Sequence, residues 1–325
     1  MMRLGYKLSS EEFGPRELVR LARRAEACGF EFALISDHYH PWIDRQGQSP
    51  FVWSALGALA EATERLVIGT GVTCPTIRIH PAIVAQAAAT TAAMLPGRFF
   101  LGVGSGENLN EHILGDRWPP VDVRQEMLEE AVELMRQLWQ GGYQDFHGLH
   151  YTVESARLYT RPDSPPPVVV AAAGPKAAAL AGRIGDGLVT TEPDAELVQA
   201  FRRAGGEGKP CHVEMTVCWA EREADARRTA LEVWPLAALS GPLSTELAIP
   251  AHFEQAAKMV DEKRIAEAVV CGPDPARHVE AIQKHVEAGY DHVCVHQIGP
   301  DQEGFFRFYE REVMPALAGR GRRAA

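Results

Sequence analysis

The run Ile35-Ser36-Asp37-His38-Tyr39-His40-Pro41-Trp42 joins the end of an apolar strand pattern to an acid, two imidazoles and an indole. Strand side chains are buried, so polar groups clustered at the carboxyl end of a strand sit at a rim that a substrate can reach. An unperturbed imidazole titrates at about 6.5, which makes His38 a candidate general base. Glu107, in Gly102-Val103-Gly104-Ser105-Gly106-Glu107-Asn108-Leu109-Asn110, is the matching acid, and the two roles can be exchanged. Trp42 offers a ring face that stabilises positive charge nearby, against a plainer role in pocket packing. His38-x-His40 also has the spacing of a first metal-ligand pair. A metal site would need further histidines on the fifth and sixth strands, and His292 and His296 are too few to complete it, so no metal is expected.

These residues need a scaffold, and the sequence supplies a regular one. Apolar runs alternate with helical periodicity along the chain, the pattern of parallel strands joined by crossover helices. Strands are expected at Arg3–Lys7, Phe30–Ser36, Leu66–Val72, Phe99–Val103, Val168–Ala172, Gly187–Thr191, His212–Trp219 and His292–Ile298. Pro15 suits a first helical turn, Leu18, Leu21, Ala25 and Cys28 share one face, and Gly29 ends the helix. Further helices are expected at Pro81–Leu95 and Arg124–Trp139, and Asp274-Pro275 opens another. Eight such units in 325 residues predict an α/β fold, a (β/α)8 TIM barrel forming a single domain over 1–325. Gly141–Pro167 and Trp234–Arg264 exceed ordinary loop length and are read as insertions at the C-terminal, active face.

Composition narrows the partners. A formal charge of −10 repels a phosphate backbone, which argues against nucleic acid. The only basic run, Arg320-Gly321-Arg322-Arg323, reads as a solvated end. Six scattered cysteines (Cys28, Cys74, Cys211, Cys218, Cys271, Cys294) form no Cys-x-x-Cys pair and sit in apolar patterns, which fits a reducing cytoplasm. No stretch approaches the roughly 18 apolar residues of a membrane span, and no signal peptide is evident. A glycine-rich turn at Gly102–Gly106 lacks the spacing of a dinucleotide fingerprint. Ala173-Gly174-Pro175-Lys176 opens a helix whose bare amides would suit a phosphate.

Taken together, Ser36–Trp42, Gly69-Thr70-Gly71-Val72, Gly102–Glu111 and Ala181-Gly182-Arg183-Ile184-Gly185-Asp186-Gly187 resemble the luciferase-like barrel superfamily. Within it the chain is most similar, over nearly its whole length, to the glucose-6-phosphate dehydrogenase group dependent on coenzyme F420, an 8-hydroxy-5-deazaflavin. The resemblance implies a deazaflavin in the barrel mouth lined by Asp37, Gly71, Val72, Cys74, Asn110, Ala173, Gly174, Lys176 and Ala177. It implies a non-proline cis peptide at Gly71-Val72, and hydride exchange with a substrate CH–OH served by His38, Glu107 and Trp42. It also implies a homodimer packed through helices of the early units.

The family's sugar-phosphate enzymes are expected to grip the phosphate with basic side chains, where this chain has Asp194, Ser244 and Ala268 beside Thr191. Without those cations a neutral sugar or secondary alcohol is the expected small-molecule substrate. Lys258, Lys263 and Arg264 read as a solvated helix face rather than a replacement pocket. The alternatives are a luciferase-like monooxygenase using FMN, a barrel that binds cofactor without turnover, and the metal hydrolase already weighed.

Overall fold

A computed structural model describes residues 2–239, 241 and 243–321; the basic run at 320–323 extends beyond them. Eight parallel strands close on themselves: β1 (Arg3–Leu8), β2 (Phe32–Ile35), β3 (Val67–Thr70), β4 (Phe99–Val103), β5 (Val168–Ala171), β6 (Gly187–Thr190), β7 (Cys211–Cys218) and β8 (His292–Gln297). They lie in sequence order, with β6 paired to β7, β7 to β8 and β8 to β1. All eight expected strands are therefore present, each within two residues of its expected ends.

The strands hold their places because each side of the wall is apolar for a different reason. On the outside, Leu4, Tyr6, Leu8, Ala33, Ile35, Leu101, Val168 and Val170 bury against the surrounding helices. On the inside, Phe32, Leu34, Phe100, Val169, Val189 and Cys294 form a separate, smaller core. Two aromatic rings fill this narrow interior only because glycine faces them: a Cβ on Gly5 would overlap the Phe32 ring, and one on Gly69 the Phe100 ring. The helices are those the apolar spacing predicts. Pro15–Cys28 begins with its proline in the first turn, and Gly29, at φ 101°, receives the chain in the left-handed conformation at its end. Pro81–Met94 and Val121–Trp139 follow β3 and β4, and Asp274 caps Pro275–Glu287 through the Ala276 amide.

The two long insertions reach the mouth differently. Trp234–Arg264 follows the crossover helix Glu223–Val233 and folds over the carboxyl ends of the strands. Its Phe253 is buried with Ile43 and Leu109, and Asn108 donates to the Glu246 carbonyl at 3.0 Å. Gly141–Pro167 instead joins a helix end to the start of β5, so it opens at the far end of the barrel. Its antiparallel hairpin, Gln144–His147 with Thr152–Ala156, folds back along the outer flank. Glu130 gathers the amides of Leu149, His150 and Tyr151, and the Tyr151 hydroxyl donates at 3.0 Å to the Thr76 carbonyl in the loop after β3. That insertion props the rim from outside. Among the described residues no helix is long and apolar enough to cross a membrane.

Candidate active site

Side-chain alternation divides the barrel mouth into two walls. Toward β3, β4 and β5 the inward positions are small: the Gly71-Val72 peptide is cis, as the resemblance implies, and Gly104 and Ala171 stand across from it. A Cβ on Gly104 would lie 2.8 Å from Val72 Cγ2 and 3.4 Å from the Ala171 Cβ, so the space there exists only while the residue is glycine. Toward β7, β8, β1 and β2 the wall is charged.

His38 stands on the charged side, buried to 9 % residual exposure. Its Nδ1 faces the His40 carbonyl oxygen at 3.2 Å, so that nitrogen carries the proton and donates. Its Nε2 lies 3.4 Å from Glu11 Oε1, and its ring centroid is 4.9 Å from that of Trp42. Glu11 comes from the loop after β1, and its Oε2 accepts from Ser36 at 2.6 Å and Ser9 at 3.1 Å. Burial opposes its ionisation, yet the His38 imidazole when it carries a proton, the Lys7 charge and the Ser36 hydroxyl outweigh burial and hold the carboxyl down at about 2. Trp42 is fixed from the other side by Phe253, centroid to centroid 5.3 Å, so the second insertion helps seat it.

Glu107 is half-buried at the start of the short helix Asn108–Glu111. Asn110 joins it to the His38 segment: its Oδ1 accepts from the Tyr39 and His40 amides at 2.8 and 3.2 Å, while its Nδ2 donates to Glu107 Oε2 at 3.2 Å. Asp37 is committed below the rim, accepting from Thr73 Oγ1 at 2.8 Å and Arg78 Nη2 at 2.9 Å. Arg78 also meets Glu111, whose Oε2 accepts from the Arg78 amide at 2.8 Å. Burial raises the Glu111 carboxyl to about 7, against the pull of Arg78, with Glu107 and Asp37 pushing the same way as burial. Cys74 is buried against Thr76 Oγ1 at 2.9 Å, and burial pushes its thiol well up, so it is no nucleophile.

Further round, Ala173 and Gly174 lead into the helix Pro175–Ile184, which has no side-chain cap. Its first-turn amides at Lys176 and Ala177 therefore lack helical partners. Lys176 itself is exposed, 3.5 Å from Asp122. Thr191 is exposed two residues beyond the inward Val189. Of the expected substrate residues, Asp194 spends its carboxylate capping the helix Ala195–Phe201 at the Glu196 amide, 2.8 Å away. Ser244 and Ala268 are exposed on the second insertion and its following helix, as are Lys258, Lys263 and Arg264. His40 turns its Nδ1 to the Leu109 carbonyl at 2.9 Å, so it and His38 take separate partners instead of converging.

Several groups at this site were not singled out from the sequence. Lys7 donates to the Gly71 carbonyl at 2.9 Å and to Glu214 Oε2 at 2.7 Å. His296, weighed only as a metal ligand, meets Glu12 Oε2 at 3.0 Å. The signal was available: His212, Glu214 and Thr216 alternate as polar positions in a strand whose other residues are apolar, which marks a polar barrel interior.

The luciferase-like monooxygenase family model matches residues 1–292. The chain belongs to that family. Its relatives include the F420-dependent glucose-6-phosphate dehydrogenases of Microbacterium testaceum and Mycobacterium tuberculosis. Each is 37 % identical over 330 residues; the first match covers 98 % of both chains, the second 97 % of this chain and 98 % of the other. Among solved structures of the luciferase-like fold, an F420-dependent secondary alcohol dehydrogenase in complex with an F420–acetone adduct superposes with a TM-score of 0.90. It is 33 % identical, and the match covers 97 % of this chain and 99 % of that one.

Proposed function

We propose that this protein is an F420-dependent oxidoreductase that moves a hydride between a substrate CH–OH and C5 of the deazaflavin, with a neutral sugar or secondary alcohol as substrate. One observation carries the reading: an imidazole held between a carboxylate and an indole shares the barrel mouth with a wall of small residues, in a chain similar end to end to F420-dependent dehydrogenases. The site fits the group. Gly104 leaves room that any side chain would fill, and the unpartnered amides after Gly174 suit a phosphate-bearing tail. Gly71, Val72, Ala173, Gly174, Lys176 and Ala177 would hold it, with Asp37, Cys74 and Asn110 supporting the loops that carry them. When bound, the deazaflavin supplies a two-electron hydride acceptor or donor.

The chain's own residues handle the proton. His38 takes it from the substrate hydroxyl at Nε2, the nitrogen not turned to the His40 carbonyl, and Glu11 Oε1, 3.4 Å from that nitrogen, stabilises the imidazolium that forms. Trp42 covers the ring and excludes water. Glu107, steadied by Asn110, is the second proton-handling group at the mouth. The preference for a neutral substrate rests on charge. Lys7, Arg78 and Arg124, the buried cations near the mouth, are already paired with Glu214, with Asp37 and Glu111, and with Glu246. Titration with oxidised F420 and with FMN, followed by anaerobic reduction with glucose, secondary alcohols and glucose 6-phosphate, tests the reading. Tighter binding of FMN, or a clear preference for glucose 6-phosphate, overturns the corresponding part. A homodimer in the cytoplasm is part of the same proposal, and sedimentation of the intact protein tests the pairing.

A further inference from the structure

The loop after β1 carries two adjacent carboxylates, and they part to opposite sides. Glu11 turns toward β2 and meets His38, beneath Trp42. Glu12 turns toward β8 and meets His296 Nε2 at 3.0 Å, and the Trp234 ring packs edge-on against His296 with centroids 4.6 Å apart. The mouth thus holds the same trio twice, a glutamate, a histidine and a tryptophan on either flank of β1. Only the first trio has a use in the proton transfer proposed above.

The second trio is built rather than incidental. His296 alternates with the inward Cys294 and is fully buried, two residues nearer the mouth. Its Nδ1 has no hydrogen-bond partner, and Glu214 Oε1 stands 3.6 Å from it. Glu214 in turn holds Lys7, and Lys7 holds the Gly71 carbonyl. A line of charged groups therefore runs from the Gly71-Val72 peptide to Glu12 and fixes the His296 ring. Glu12, at the far end of the line, keeps 12 % of its side chain exposed, beside 16 % for Glu214, which is tied to Lys7, and among the described residues Glu12 Oε1 makes no hydrogen bond. An oriented carboxylate oxygen with nothing to accept from is an acceptor for a hydroxyl.

We propose that Glu12, held by His296, accepts a hydrogen bond from a second hydroxyl of the substrate, so that the enzyme selects uncharged polyols, unphosphorylated sugars among them, over alcohols with a single hydroxyl. This rests on the dehydrogenase reading and deepens it. A carboxylate there favours a donor and repels an anion, and Lys7, the cation on this line, is already paired with Glu214. Trp234 adds an apolar ring face of the kind that packs on the C–H face of a sugar.

The test uses the full-length enzyme loaded with F420, with E12Q and E12A compared against the parent. Glucose or a vicinal diol, and 2-propanol, are the paired substrates, and calorimetric binding of the sugar to the oxidised holoenzyme is a readout independent of turnover. E12A is expected to raise KM and Kd for the polyol by about tenfold or more, the loss from one charge-assisted hydrogen bond. KM for 2-propanol should stay within about twofold of the parent, with E12Q intermediate for the polyol. Equal losses on both substrates, or an unchanged polyol Kd in E12A, overturn the proposal. If the parent oxidises neither substrate yet its sugar Kd weakens in E12A, the dehydrogenase reading fails while the hydroxyl site stands. Thermal unfolding of both variants guards against a loss of fold.

Discussion

At the scale of single residues, His38 and Glu107 carry different burdens, and their removal separates them. His38→Ala deletes the proposed proton acceptor while leaving the small-residue wall untouched. Turnover is expected to fall by at least ~10²-fold, with F420 affinity within a few-fold of the parent by equilibrium titration. A large loss of affinity would make His38 a structural histidine. Glu107→Gln keeps the Asn110 contact and removes the titrating group, so kcat is expected to drop by roughly 10²–10⁴, and near-normal rates would take Glu107 out of the mechanism. The place of both residues at the mouth was legible in the sequence because polar types appear abruptly where a strand pattern stops. Their partners were harder to read. Glu11 and Glu12 follow β1 in a stretch of ordinary polar residues, and nothing local says that one turns to β2 and the other to β8. Asp194 shows the converse: its place, where the resemblance puts a phosphate-gripping cation, suggested a position beside the substrate, and its carboxylate is occupied as a helix cap, a use invisible without the helix start.

At the scale of elements, the buried trio Asp37, Arg78 and Glu111 fastens the end of β2, the loop after β3 and the helix that begins at Glu107. Taking away the arginine leaves two carboxylates in a site where water cannot replace it. Arg78→Met is therefore expected to cost ~3–5 kcal/mol in chemical denaturation, and to lower F420 affinity because both loops border the cradle. A cost below ~1 kcal/mol would mean that the loops are held by packing alone. Such couplings are what periodicity cannot report. Alternation and helix spacing reveal where strands and helices run, which is why the eight strands and the early helices were found within two residues in nearly every case. The side on which an insertion settles depends on contacts made after folding. Gly141–Pro167 was read as facing the mouth and instead climbs the flank as a hairpin whose Tyr151 props Thr76. Trp234–Arg264 does cover the mouth, because Phe253 buries its ring beside Trp42.

At the scale of the whole molecule, titration couples the barrel floor to stability and the charge of the mouth to substrate choice. His212, packed among Phe32, Phe100 and His292, is depressed to about 3 by burial and then by His292. Its folded value lies below the unfolded one of about 6.5, so the unfolded chain binds the extra proton and stability falls as pH drops from there toward 3. Glu111 works the other way: raised to about 7, it contributes stability that is complete below about 4.5 and lost as pH rises through 7. His212→Leu is accordingly expected to flatten the loss of stability between pH 6.5 and 4.5 by up to ~1.4 kcal/mol for each pH unit, measured by denaturant titration; an unchanged slope would mean that the floor admits water. The mouth gathers Glu11, Glu12, Glu107, Glu111, Asp37 and Glu214 in a chain of net charge −10, and its buried cations are already paired. Such a field slows an anion and ignores a neutral molecule. Raising the ionic strength from about 0.01 M to 1 M shortens the screening length from ~30 Å to ~3 Å. The kcat/KM for glucose 6-phosphate should therefore rise with salt, while that for glucose stays flat. A fall with salt for the phosphorylated sugar would reveal an attractive cationic patch and remove the charge argument for a neutral substrate.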